Sequence, residues 1–128
     1  MRSWLLAAIV SGAPSTAYAV AAGRDPLEAT KAAGALVVGE RAPGALQVAA
    51  AAPVHLALSW LWGTAIERSL PERNRLAWGV AAGLAVAALD LGVVGRRFPA
   101  IRRLPLLPQL ADHALFGAVA ARRDRSGS

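Results

Sequence analysis

The sequence predicts an all-α polytopic membrane protein, a four-helix transmembrane bundle with one short amphipathic helix at the interface. Three observations predict it. Of the 128 residues, 55% are hydrophobic and only 17% are charged, and a soluble domain of this size needs a far more polar surface. The apolar residues fall in blocks with few charges at 4–22, 45–66 and 76–95, each about as long as the ~20 residues a helix needs to cross hydrocarbon. Threaded up, down and up, these blocks bring Trp4, Trp60, Trp62 and Trp78 towards one common side, as an interfacial aromatic belt requires. The chain reads as a single membrane domain, 1–128, with the bilayer as its first partner.

Each element has a local reason. The first span follows Arg2 and contains Pro14. Its Ala17-Tyr18-Ala19 also fits a signal-peptidase site, so a cleaved leader is the rival reading; apolar character persisting to Ala22 favours a retained helix. In "GRDPLEATKAAGALVV", Asp25 can cap a helix whose first position Pro26 fits, with Glu28 at the positive end of its dipole. That helix, 26–38, is too short to cross and carries Lys31, which places it at the interface. "GERAPG" turns into the second span, and "ERSLPERNR", 67–75, forms a polar hairpin before the third. "GRRFPAIRR", 95–103, leads to the fourth span, 104–121, which is weaker because Pro105, Pro108, Gln109, Asp112 and His113 interrupt it. A charged tail, 122–128, closes the chain.

Four spans put both termini and the 67–75 hairpin on one side, B, and the interfacial helix and the 95–103 link on the other, A. Seven basic residues fall on each side, so the positive-inside rule does not set the orientation. The formal charge of +6 sits in short arginine clusters beside apolar spans, which matches anionic headgroups rather than nucleic acid. Thirteen arginines against one lysine, with abundant alanine, point to a GC-rich bacterial genome and a bacterial cytoplasmic membrane. Without cysteine, disulfides and thiolate chemistry are excluded.

The polar residues inside the spans share a level. Counted from side A at about 1.5 Å per residue, Asp90 lies about 9 Å deep, Asp112 and His113 about 10 to 12 Å, and His55 about 15 Å. Ser15 on the first span falls at a similar depth. Gln109, Asp112 and His113 are spaced i, i+3, i+4 and form one stripe. Gly79 and Gly83 make a small-residue ridge that Asp90 continues, suited to an internal helix contact or to a second copy of the chain. Pro14 and Pro53 each free a carbonyl one turn earlier, at Val10 and Ala49. A charge in hydrocarbon costs at least ~2.5 to 3.5 kcal/mol on insertion scales, so the layer must be paired, protonated or wet.

Two functions compete for His55, Asp90, Gln109, Asp112, His113 and Ser15. In the first they hold the bundle together, with Asp90 or Asp112 paired to Arg96, Arg97 or Arg102 reaching in from side A. In the second they form a proton or divalent-cation route, since imidazoles and carboxylates pass protons and ligate metals. No H-E-x-x-H, G-x-S-x-G or phosphate-cradling loop occurs, so no enzyme, cofactor or resident metal is expected.

The stretches "SGAPSTAYAV", "GRDPLEATKAAG", "HLALSWLWG", "LDLGVVGRRFP" and "LPLLPQLADHALFGAV" resemble a group of small bacterial multi-pass integral membrane proteins with no assigned activity. The resemblance covers most of the chain. It implies that the first span belongs to the membrane domain and transfers no functional residue.

Overall fold

The computed structural model describes residues 1–123 and is all-α, with no strand among them. Most of the charged tail read at 122–128, namely residues 124–128, lies outside the described residues. The first apolar block is two helices, α1 (Ser3–Val10) and α2 (Ala13–Ala21), broken at Ser11 and Gly12, with Pro14 in the first turn of α2. There a proline's missing N–H costs nothing. Then come α3 (Glu28–Val38), α4 (Gly44–Ser69) and α5 (Arg75–Leu89). The last runs without interruption through a π turn, Asp90–Val94, into α6 (Gly95–Arg97). Phe98 is extended, as the residue before a proline should be, and α7 (Pro99–Arg102) and α8 (Leu106–Ala120) complete the chain.

The helix read from Pro26 begins two residues later, at Glu28. Asp25 accepts the Leu27 N–H at 2.9 Å, a local turn that competes with capping because a short acidic side chain reaches its own backbone two residues on. The same carboxylate binds Lys31 at 2.6 Å. α3 is also fastened to the bundle. A Cβ at Gly34 would lie 1.6 Å from the Gln47 carbonyl oxygen, and Gln47 donates to the carbonyls of Gly39 and Glu40 at 3.0 and 3.2 Å.

Among the described residues three elements are long and apolar enough to cross a membrane, Ser3–Ala21, Gly44–Ser69 and Arg75–Arg97. At 15 residues α8 is not one of them, reaching about 22 Å against a hydrocarbon core of about 30 Å. Its ends nevertheless meet the ends of the long helices. The Arg75 guanidinium donates to the carbonyls of Glu67, Leu70 and Ala121 at 2.8, 2.8 and 2.9 Å, and the Ser3 hydroxyl donates to Glu67 at 3.3 Å. The ends of α4 and α8 therefore gather with the starts of α1 and α5. At the opposite end Arg103, just before α8, pairs with Glu40 at 3.3 Å. The three membrane-length elements and α8 run alternately up and down, α8 lies antiparallel to α5, and it also touches α1, α2 and α4.

Small residues make up most of the interior, joined by Ile66, Val86 and Phe116, and most large apolar side chains face out. Ala7, Ala19, Ala51, Ala87 and Ala120 are buried, whereas Ile9, Leu56, Trp60, Leu84 and Val93 are exposed. No more than 22% of the most apolar window of any membrane-length element is buried within the chain. A soluble fold hides its large side chains, whereas here close backbone approach at small residues is the basis of packing, as in helices that cross membranes. A Cβ at Gly83 would sit 2.0 Å from the His113 carbonyl oxygen, one at Gly79 2.5 Å from that of Gly117, and one at Gly63 2.5 Å from Trp4 Cβ. The Gly79 and Gly83 ridge, which also suited a second copy, is thus covered by α8.

Candidate functional site

The break in the first span builds half of the polar layer. A helix leaves its first amides without intrahelical acceptors, and α2 starts inside the apolar block. One of these amides, Ser15 N–H, donates to Asp112 Oδ1 of α8 at 2.8 Å. A carboxylate is well placed there, at the positive end of the α2 dipole. The Ser15 hydroxyl donates to the Gly12 carbonyl at 3.3 Å. Ala8 lies four residues before Gly12, at the end of α1, and its carbonyl accepts His55 Nε2–H from α4 at 2.7 Å. Pro14 was expected to free the Val10 carbonyl; the acceptor in use is Ala8, because the helix stops before Pro14.

The other half joins the π turn at the end of α5 to α8. His113 Nδ1 lies 2.7 Å from the Gln109 carbonyl and Nε2 lies 3.0 Å from Asp90 Oδ2. A carbonyl can only accept, so Nδ1 carries a proton. The contact between Nε2 and Oδ2 then holds one further proton. It belongs either to an imidazolium facing a carboxylate or to a neutral imidazole facing a carboxylic acid. In both forms the pair carries no net charge, so neither group is left as an isolated ion among apolar helices. Gln109 takes part through its main-chain carbonyl, with its side chain buried beside it.

Asp90 also opens the π turn, and its carbonyl accepts the Gly95 N–H five residues on. The wider turn changes the helix register at the residue whose side chain reaches α8, a placement π turns often take at functional sites. Asp112 lies within electrostatic reach of both His55 and His113. The layer thus draws on α1, α2, α4, α5 and α8, and brings together Ser15 with Asp112, His55 with Ala8, and Asp90 with His113.

The arginine partners expected for the aspartates are absent from these contacts. Arg96, Arg97 and Arg102 are exposed at the side A end, and an imidazole at the level of Asp90 satisfies the carboxylate without drawing a guanidinium inward. Among the described residues no three His, Asp or Glu side chains converge as a metal ion would need. An open cleft of ≈ 350 Å³ lies away from the layer, at the side A end, between α3 and the 95–103 link. Its charges are matched, Arg24 with Glu28, Lys31 with Asp25 and Arg103 with Glu40.

Sequence reasoning missed two features. Nothing in "LDLGVV" marks a π turn. Arg75 reads from the sequence only as a side B charge; its place at the very start of the third span, beside the Pro71 turn, is the one signal for its tie between helix ends.

By helix length and composition, the fold and the layer define a small all-α protein with several membrane-length helices. Compared with family models, curated proteins and solved structures, the chain matches none.

Proposed function

We propose that the chain is a small multi-pass membrane protein of structural or accessory role, in which α8 is a fourth crossing enclosed by the other three and the polar layer fixes how the helices pack. One observation carries this reading. Each ionisable group of the layer is matched by a group from another helix, so the layer works as a set of tethers. A helix screened from lipid by neighbours can be short and polar, which accounts for the weak hydropathy of α8. The proposal extends to a bacterial cytoplasmic membrane, on the arginine and alanine usage, and to a non-enzymatic role, on the missing motifs. A second copy of the chain would have to bind a face other than Gly79 and Gly83.

The test is a double-mutant cycle on thermal unfolding in detergent with Asp90→Asn and His113→Gln. Tethering predicts that the second substitution costs much less once the first is present, a coupling of about 0.5 to 2 kcal/mol. Additive effects would remove the pair from the account.

A second reading has its own support, the single proton held between Asp90 and His113 beside Asp112 and His55. A site that can place one proton on either of two atoms is what an intramembrane proton relay needs. Acidification of dye-loaded vesicles by wild type but not by Asp90→Asn would establish it, and flux no greater than in empty vesicles would eliminate it.

A further inference from the structure

We propose that the corner formed by α6 and α7 is a binding site for anionic lipid headgroups, with the lipid phosphodiester held by Arg96, Arg97 and Arg102. The inference rests on the membrane reading above.

The charges at the side A end divide sharply. Arg24, Lys31 and Arg103 each hold a carboxylate, and between them they occupy Asp25, Glu28 and Glu40. Asp90 is committed to His113. Arg41, Arg96, Arg97 and Arg102 make no ion pair or side-chain hydrogen bond with any described residue and are exposed; Arg41 belongs to the turn before α4, whereas the other three lie together on α6 and α7. Among the described residues no carboxylate at that end is left to neutralise them, which leaves room for a counter-charge from outside the chain. Three guanidinium groups within seven residues offer paired donors that match the geometry of phosphate oxygens.

The corner is held in shape. Gly95 packs so closely that a Cβ there would lie 3.1 Å from Ile101 Cγ2; α7 is thereby folded back against the end of α6 and also touches α3. The Arg103 pair with Glu40 fixes the far end. The arginines are therefore presented together, not strung along a loose loop.

An apolar skirt lies next to the arginines. Val93 and Val94 precede Arg96, Phe98 separates the two arginine pairs, and Leu106 and Leu107 follow, all exposed, Leu107 at 77%. A cationic rim beside exposed aliphatic side chains at the end of a membrane-length helix fits an amphiphile, whose headgroup and acyl chain would meet the two parts together. Free inorganic phosphate would use only the rim.

The experiment reconstitutes the full chain in vesicles of phosphatidylcholine and phosphatidylglycerol in equal parts. It then compares the immobilisation of spin-labelled phosphatidylglycerol and spin-labelled phosphatidylcholine at the protein. Each arginine near the surface is worth about five-fold in partitioning at low salt, so the wild type should prefer the anionic probe several-fold and lose most of that preference in high salt. The triple variant R96Q/R97Q/R102Q should show almost no preference. The variant R2Q/R68Q/R73Q, with the same change in charge at the opposite end, should keep it.

Equal losses in both triple variants would make the preference a property of net charge and overturn the site. Suppression by inorganic phosphate as strong as that by sodium chloride of ten-fold higher ionic strength would also overturn it, since the site would then prefer a free anion to a lipid. Resistance to alkaline carbonate extraction is measured on the same vesicles. Extraction of the chain would refute the membrane reading, whereas a retained chain without lipid preference would refute this inference alone.

Discussion

Substituting Gly83 by alanine tests the link between helix packing and the polar layer. The added Cβ would lie 2.0 Å from the His113 carbonyl oxygen, and ordinary contact begins near 3.4 Å. The obstacle is backbone, so α5 and α8 must part by about 1.4 Å, the difference between those two distances. His113 is also the residue whose ring lies 3.0 Å from Asp90. Adding even half of that separation takes the contact past the range in which a hydrogen bond retains strength. Overpacking by one methyl costs about 1 to 3 kcal/mol, and the broken pair adds about 0.6 kcal/mol, the average for an interhelical bond in a membrane. Thermal unfolding in detergent, followed by circular dichroism, should therefore show a clear loss for Gly83→Ala. The distinctive expectation lies in the cycle with Asp90→Asn, where the second substitution costs less in the presence of the first. An unchanged midpoint for Gly83→Ala, or strict additivity with Asp90→Asn, would refute the reasoning.

Other perturbations follow from single contacts. Arg75→Ala removes the group that binds three helix-end carbonyls and should cost about 2 to 4 kcal/mol in unfolding free energy, with Arg75→Lys recovering only part, because one ammonium cannot reproduce the planar fork. Asp112→Asn keeps an acceptor for Ser15 N–H and should unfold near the wild-type midpoint, whereas Asp112→Ala orphans that amide and should cost about 1 to 3 kcal/mol. The Asp25 carboxyl is held below its ordinary 3.8 first by the Lys31 hydrogen bond and then by the Leu27 N–H. Its contribution to anchoring the start of α3 is therefore complete above pH 3.8 and is lost as pH falls through the lower folded value. Amide exchange at Glu28 to Lys31 should be indifferent to pH near neutrality, after correction for intrinsic rate, and should lose protection only in strong acid.

The membrane-length helices were legible because length and absence of charge are properties of one segment at a time. The stripe on α8 was legible for the same reason, since the spacing of Gln109, Asp112 and His113 fixes a face. Partners were harder to read. Whether Asp90 meets Arg96 or His113 depends on the rotation and register of two helices far apart in sequence, and a six-residue spacing on one helix carries no information about the other. The break at Ser11 and Gly12 illustrates the limit. Pro14 marked a disturbance, but only the packed bundle decides that the exposed backbone groups are the Ala8 carbonyl and the Ser15 amide, and that His55 and Asp112 receive them. The basic residues divide evenly between the two sides by sequence; which of them hold carboxylates emerges only from the fold.

The account stands on α8 crossing the bilayer with the other helices, and the absence of cysteine allows a direct measurement. Single cysteines at Arg102, before α8, and at Arg122, after it, are challenged in sealed vesicles with a membrane-impermeant maleimide, with Arg73→Cys as reference. The account predicts that positions 122 and 73 react from the same side and position 102 from the opposite one. Labelling of 102 and 122 from one side would contradict it, because α8 would then fail to cross and the Asp90 and His113 pair could not lie within the membrane as described.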